Sequence, residues 1–256
     1  MQRRSFLQTA GLALAGGTQI AAGRAEAGDG GPPPVPRREA TRPRVLIAAG
    51  DRRLAATMAS ALGERYAAVL ADTADAWQQL PGCAAIVYAA QAPDGATDLE
   101  LLDRHTRHLY ALLTAAAAGS VKAVVYLSSL SLMSAYPESY AVNEDFRPLP
   151  GSQPASFAPY LGEFVCREFA REGKLRATVL RLGRVVDAAR PPNSPPREPL
   201  TEMRDLCQVV AGVLDAGLAP EPRAAGWQVL HVESAVSGPR FDSSRARRYL
   251  RYAPKP

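Results

Sequence analysis

The sequence predicts an α/β fold, a single domain built on one parallel, doubly wound sheet with helices on both faces. Three observations predict it. Short continuous apolar runs recur at 45–49, 84–89, 121–127 and 177–182, the pattern of strands buried on both faces. Segments with apolar residues at helical spacing separate them, most clearly 99–118, with Leu102, Leu109, Leu112 and Leu113. The 256 residues, 47% apolar and 7% aromatic, suffice for one sizeable core.

The fold is expected to begin only at residue 44. Residues 1–27 read as a targeting segment: Arg3-Arg4-Ser5-Phe6-Leu7 matches the twin-arginine export pattern, an apolar stretch runs from Ala10 to Ala22, and Ala25-Glu26-Ala27 offers a cleavage site. Gly11, Gly16, Gly17 and Gln19 interrupt the apolar stretch, which argues against a membrane span. The expected location is therefore periplasmic or otherwise exported, with the twin-arginine translocase as a transient partner. Residues 28–43, rich in glycine and proline, form a linker with nothing to bury.

The domain, 44–256, is then taken in order. A strand at 45–49 precedes an alanine-rich helix at 54–62. A short strand holds Val69 and Leu70 and ends near Asp72, and a brief helix spans 74–80. The strand at 84–89 leads to the long helix at 99–118, read as a surface element. The strand at 121–127 stops at Ser128-Ser129. A polar loop follows, and a helix opens at Tyr160 and runs to 170. Beyond the strand at 177–182 come a proline-rich loop at 191–199, a helix at 203–216, a strand at 227–232 and a capped helix within 241–250.

Charge and cysteine usage exclude several classes. The formal net charge is +5, and removing residues 1–27 takes away three arginines and one glutamate, leaving +3. The body carries no basic run, so no nucleic-acid partner is expected. Cys83, Cys166 and Cys207 match neither a zinc ribbon nor a redox Cys-x-x-Cys, and read as buried thiols. His105 and His108, three apart with Asp103 nearby, read as solvated histidines in preference to metal ligands. His231 reads as a core histidine, and no Gly-x-Ser-x-Gly elbow supports hydrolysis. No metal site is expected.

Several segments carry a family resemblance. Gly82-Cys83-Ala84-Ala85-Ile86-Val87-Tyr88-Ala89-Ala90, the acidic-proline loop Val142-Asn143-Glu144-Asp145 with Pro148 and Pro150, the serine-ended strand before Tyr160, and Asp242-Ser243-Ser244-Arg245-Ala246 with Leu250 and Pro254 follow one another in a familiar order. Together they resemble the extended short-chain dehydrogenases/reductases, the NAD-dependent epimerase/dehydratase family. The resemblance implies a Rossmann-like fold, NAD or NADP as cofactor, and a small-molecule or nucleotide-sugar substrate. It assigns Tyr160 as the acid/base and Ser129 as the supporting hydroxyl. It places cofactor contacts at Ala49, Gly50, Arg52, Arg53, Asp72 and Ala89.

The chain also departs from the family pattern. The family's Gly-x-x-Gly-x-x-Gly falls on Ala49, Arg52 and Ala55, with Gly50 one place out of register. Arg52 and Arg53 either bind phosphate by charge or stand solvated where the nucleotide pocket is altered or empty. Asp72 lies at the spacing of the ribose-binding acid, but the region before Ile86 is a strand–helix unit short, so it can instead match an aspartate near the adenine. Phe164 stands where the family has the lysine that lowers the tyrosine pKa. Glu163 is expected closer to Tyr160 than any cation, and Arg167 is the one conceivable substitute. Two functions stay open: an NAD(P)-dependent epimerase or oxidoreductase, or a catalytically inactive binding or scaffold protein.

Overall fold

In a computed structural model the described residues are 42–91, 95–187, 198–220, 226–234, 240–250 and 252, all within one compact unit. The leader (1–27), the linker up to residue 41 and residues 191–197 of the proline-rich loop lie outside them.

Six strands form the parallel sheet: β1 (Arg44–Ala49), β2 (Ala67–Ala71), β3 (Ala85–Ala89), β4 (Ala123–Ser129), β5 (Arg176–Leu182) and β8 (Trp227–Val232), in the order β2-β1-β3-β4-β5-β8. The chain runs outward from β1 to β2 and returns across it to β3, so the winding reverses between β1 and β3. Among the described residues β2 alone lies outboard of β1, where the full doubly wound arrangement has two strands. The shortened region expected from the sequence is this single outer strand. Two short strands, β6 (Arg184–Val186) and β7 (Leu200–Glu202), pair in parallel beside the main sheet and were not legible in the sequence.

Alternating residues of the central strands feed two cores. Val45, Ile47, Val87, Val125, Leu127 and Leu180 face α1 (Arg52–Leu62) and α5 (Met203–Leu218). Leu46, Ala48, Ile86, Val124 and Val179 face α3 (Leu109–Ala118) and α4 (Pro154–Arg171). Because side chains point to opposite faces with period two, strands buried on both sides read as unbroken apolar runs. Each fully buried aliphatic side chain contributes about 1.5–3 kcal/mol.

Three helices differ from expectation. The segment 99–118 is α2 (Asp98–Asp103), a π-helical turn (Arg104–His108) and α3 in succession. The extra residue of a π turn shifts the side chains that follow, which helical spacing alone does not register. Residues 74–80 contain only a 3₁₀ turn, Ala76–Gln79. α4 begins at Pro154, six residues before Tyr160. Proline is tolerated at the first helical position, where its absent N–H has no partner to lose, although it reads as a loop in the sequence. The last helix, α6 (Ser244–Leu250), is preceded by Asp242, whose carboxylate accepts from Ser244 N at 2.7 Å.

Candidate functional site

A cleft of about 1230 Å³ opens at the carboxyl ends of β1, β3, β4 and β5. In open parallel sheets ligands bind there, beside the reversal of winding. Its wall is assembled from the turn before α1 (Asp51, Arg53), the residue after β3 (Gln91), the π turn (His105), the end of β4 (Ser128 to Ser131), α4 (Pro159) and the chain after β5 (Gly183 to Asp187).

At the β1–α1 turn, Asp51 is the N-cap of α1. Its Oδ1 accepts from Arg53 N at 2.8 Å and from Leu54 N at 3.3 Å, so a carboxylate of the chain itself meets the first-turn donors and the positive end of the helix dipole. Arg52 is exposed. The Arg53 Nη2 lies 2.6 Å from Asp187 Oδ2 in an ion pair exposed on both sides, which adds little stability. Gly50 N donates to Ala89 O at 3.2 Å, and a Cβ on Gly50 would lie 2.1 Å from Gln91 O. The turn therefore rests directly on the end of β3. Ala49 and Ala89 are buried in the sheet.

Asp72 follows β2, the strand next to β1. Its Oδ1 accepts from Ala74 N at 3.0 Å and faces Arg104 Nη1 at 3.5 Å, while the same Nη1 donates to Thr73 Oγ1 at 2.7 Å.

Ser129 lines the cleft. Its Oγ bonds Ser131 Oγ at 2.9 Å and accepts from Ser131 N at 3.1 Å, capping the 3₁₀ turn Leu130–Met133. Ser128 donates inward to Glu163 Oε1 at 2.7 Å. Glu163 was expected beside Tyr160 as its nearest charged neighbour. It lines the same pocket as Tyr160, and its carboxylate is held in a bidentate pair with Arg181, at 2.9 and 2.7 Å, both side chains buried.

The structure does not bring Tyr160 to the cleft that Ser129 lines. Tyr160 borders a second pocket of about 420 Å³ with Phe164, Arg167 and Trp227. Its ring meets that of Phe164 edge-on at 4.9 Å, and the Arg167 guanidinium sits 4.2 Å from the Phe164 centroid. Helical geometry explains the separation. Ala155 and Pro159, one turn apart, face the cleft, whereas Tyr160, Phe164 and Arg167 share the neighbouring face.

His105 overturns the expectation of a solvated histidine. It is 4% exposed, lines the cleft, and places Nδ1 2.5 Å from the Tyr126 hydroxyl. Burial, with the charge of Arg104 second, depresses its pKa to about 3. The sequence signal was present only as a polar residue on an apolar face. His231 is fully buried as expected, also held near 3 by burial and then by Arg181. No cluster of three metal-ligating side chains occurs among the described residues.

No curated protein sequence matches the chain. Solved structures share the fold. A uronate dehydrogenase from Agrobacterium tumefaciens is 20% identical with a TM-score of 0.69, over 84% of this chain and 85% of that one. A UDP-N-acetylglucosamine 4-epimerase from Bacillus cereus is 16% identical with a TM-score of 0.68, over 84% and 94%. A UDP-glucuronic acid 4-epimerase from Bacillus cereus in complex with NAD is 15% identical with a TM-score of 0.62, over 83% and 92%. The model of the NAD dependent epimerase/dehydratase family matches residues 52–209, more than half of the chain. With a parallel Rossmann-like sheet under that match, the chain belongs to the NAD dependent epimerase/dehydratase family.

Proposed function

We propose that this protein is an exported, ligand-binding member of its family whose cleft takes a small molecule without tyrosine-dependent hydride transfer. One observation carries the reading. The carboxylate of Asp51 occupies the first-turn donors of α1, the place where a dinucleotide pyrophosphate would be held. An anion there would meet a negative charge and the long side chain of Arg52, so these residues do not fit that group. Phe164 in place of a lysine and Tyr160 on the face of α4 next to the cleft, bordering a separate pocket, support the same reading. The leader supports a location outside the cytoplasm, with the folded domain carried by the twin-arginine translocase.

A second reading keeps NAD or NADP and an oxidation or epimerisation of a nucleotide-sugar-like substrate, with Tyr160 and Ser129 in the family's roles. Its specific support is Ser129 in the cleft wall, together with Asp72 beside β1.

Calorimetric titration of NAD+ and NADP+ into the full chain, purified from the cytoplasm, separates the two. The wild type is expected to give no binding heat. The double variant Asp51→Gly/Arg52→Gly is expected to acquire affinity, at a stability cost of a few tenths of a kcal/mol for the lost cap. Stoichiometric binding by the wild type would return the second reading. Loss of turnover in Tyr160→Phe would then restore the tyrosine mechanism.

A further inference from the structure

We infer that His105 is the ligand-recognising residue of the cleft, presenting the Nε2 lone pair of a neutral imidazole to a hydroxyl of an uncharged, polyhydroxylated ligand. The inference deepens the proposal above and rests on the cleft being a ligand site.

The tautomer follows from the hydrogen bonds. The Tyr126 hydroxyl has one proton and two neighbours, His105 Nδ1 at 2.5 Å and the carbonyl oxygen of Pro159 at 3.2 Å. The carbonyl can only accept, so the assignment that satisfies both contacts has Tyr126 donating to it and Nδ1–H donating to Tyr126. The proton then sits on Nδ1, and Nε2 is left as an acceptor. Because Nδ1 points inward at Tyr126, the opposite ring edge is the polar part of this cleft-lining side chain that remains to meet a ligand. The π turn that carries His105 is the kind of local insertion that re-aims a side chain at a functional site.

An independent group points the same way. Gln91 also lines the cleft, and its Oε1 is buried without a hydrogen-bond partner among the described residues. A buried acceptor without a donor carries an uncompensated desolvation cost, which a ligand donor would relieve. Two acceptors in the lining of one cleft suit a molecule that can donate twice. An anion is not drawn in by net charge, because Asp51, Asp187 and Glu198 offset the arginines of the lining. A cation would face the arginines Arg53, Arg184 and Arg240 around the same cleft. A neutral polyol satisfies the wall.

The test is nitrogen-15 NMR of the imidazoles in the full chain, which has only three histidines. The probes are myo-inositol and D-glucose, with inorganic phosphate and Mg2+ as charged controls. The expected result is an Nδ1–H tautomer for His105 and a shift of Nε2 on adding a polyol, with His231 unmoved. His105→Phe is expected to weaken polyol binding at least about ten-fold, and Tyr126→Phe to release the other tautomer. An Nε2–H tautomer in the wild type, a response to phosphate or Mg2+ in place of the polyols, or no response to any probe would each overturn the inference. Should NAD+ give stoichiometric heat, the non-dinucleotide reading of the cleft falls, while the tautomer and the polyol response still decide the role of His105.

Discussion

Burial sets the charge of His105 and His231, and with it the response of the fold to acid. Both imidazoles titrate near 3 when folded, below the ordinary value of about 6.5 that they regain on unfolding. Each takes up a proton on unfolding between these limits, so stability is full above about pH 6.5 and declines as pH falls toward 3. Glu144, raised by burial, acts with the opposite sign in the carboxylate range. The thermal midpoint should fall on acidification from pH 7 to 4.5, and His231→Leu should flatten the profile; a midpoint rising over that range would contradict the argument. The Glu163–Arg181 pair predicts a second effect. Glu163→Gln leaves a buried guanidinium short of its counter-charge and should cost about 3–5 kcal/mol by urea denaturation, whereas Glu163→Leu with Arg181→Met and Ser128→Ala, which removes every polar partner together, should be nearly neutral. The sequence supplied these residue types but not their partnerships. Ser128 meets Glu163 across 35 residues and Arg181 meets it across 18, distances over which no local pattern operates.

At the scale of elements, α4 sets which residues reach the cleft, and Gly162 sets how closely α4 packs. A Cβ at Gly162 would lie 2.0 Å from the Tyr126 hydroxyl and 2.4 Å from its Cζ. Gly162→Ala should therefore lift the helix from β4 and destabilise by about 1–3 kcal/mol. Adding Tyr126→Phe should recover only part, since the ring carbon still clashes. A neutral Gly162→Ala in chemical denaturation would mean that α4 sits further from β4. The strands were legible because a strand buried on both faces has no polar interruption. The start of α4 was not, because Pro154 and Pro159 read as loop residues although one opens the helix and the other is carried inside it. Tyr160 was correctly seen on a helix, but its face depended on that start and on packing against β4.

For the whole molecule, the class of the fold was legible from alternation of strands and helices, and so was the shortened region beyond β1, whereas the order of the strands across the sheet came only with the structure. What the cleft contains was not, since Asp51, Gln91 and His105 come from three separate turns and converge only in three dimensions. The proposed twin-arginine leader makes a prediction of its own. Arg3→Lys with Arg4→Lys should retain the protein in the cytoplasm by cell fractionation, without altering the thermal midpoint of the domain. Continued export of that variant would remove the twin-arginine assignment.

The three buried thiols give the molecule a way of reporting its own motions. Cys83 and Cys166 belong to the core on one face of the sheet, Cys207 to the core on the other, and burial pushes all three thiols up. A thiol reagent reaches each only when its layer opens, so the labelling rate of each cysteine measures the free energy of that local opening. Cys207, at 8% exposure, marks the readier face, and Cys83 and Cys166, fully enclosed, mark the slower one. The two sides of one sheet thus carry separate clocks, and the difference between them is the degree to which the fold breathes asymmetrically.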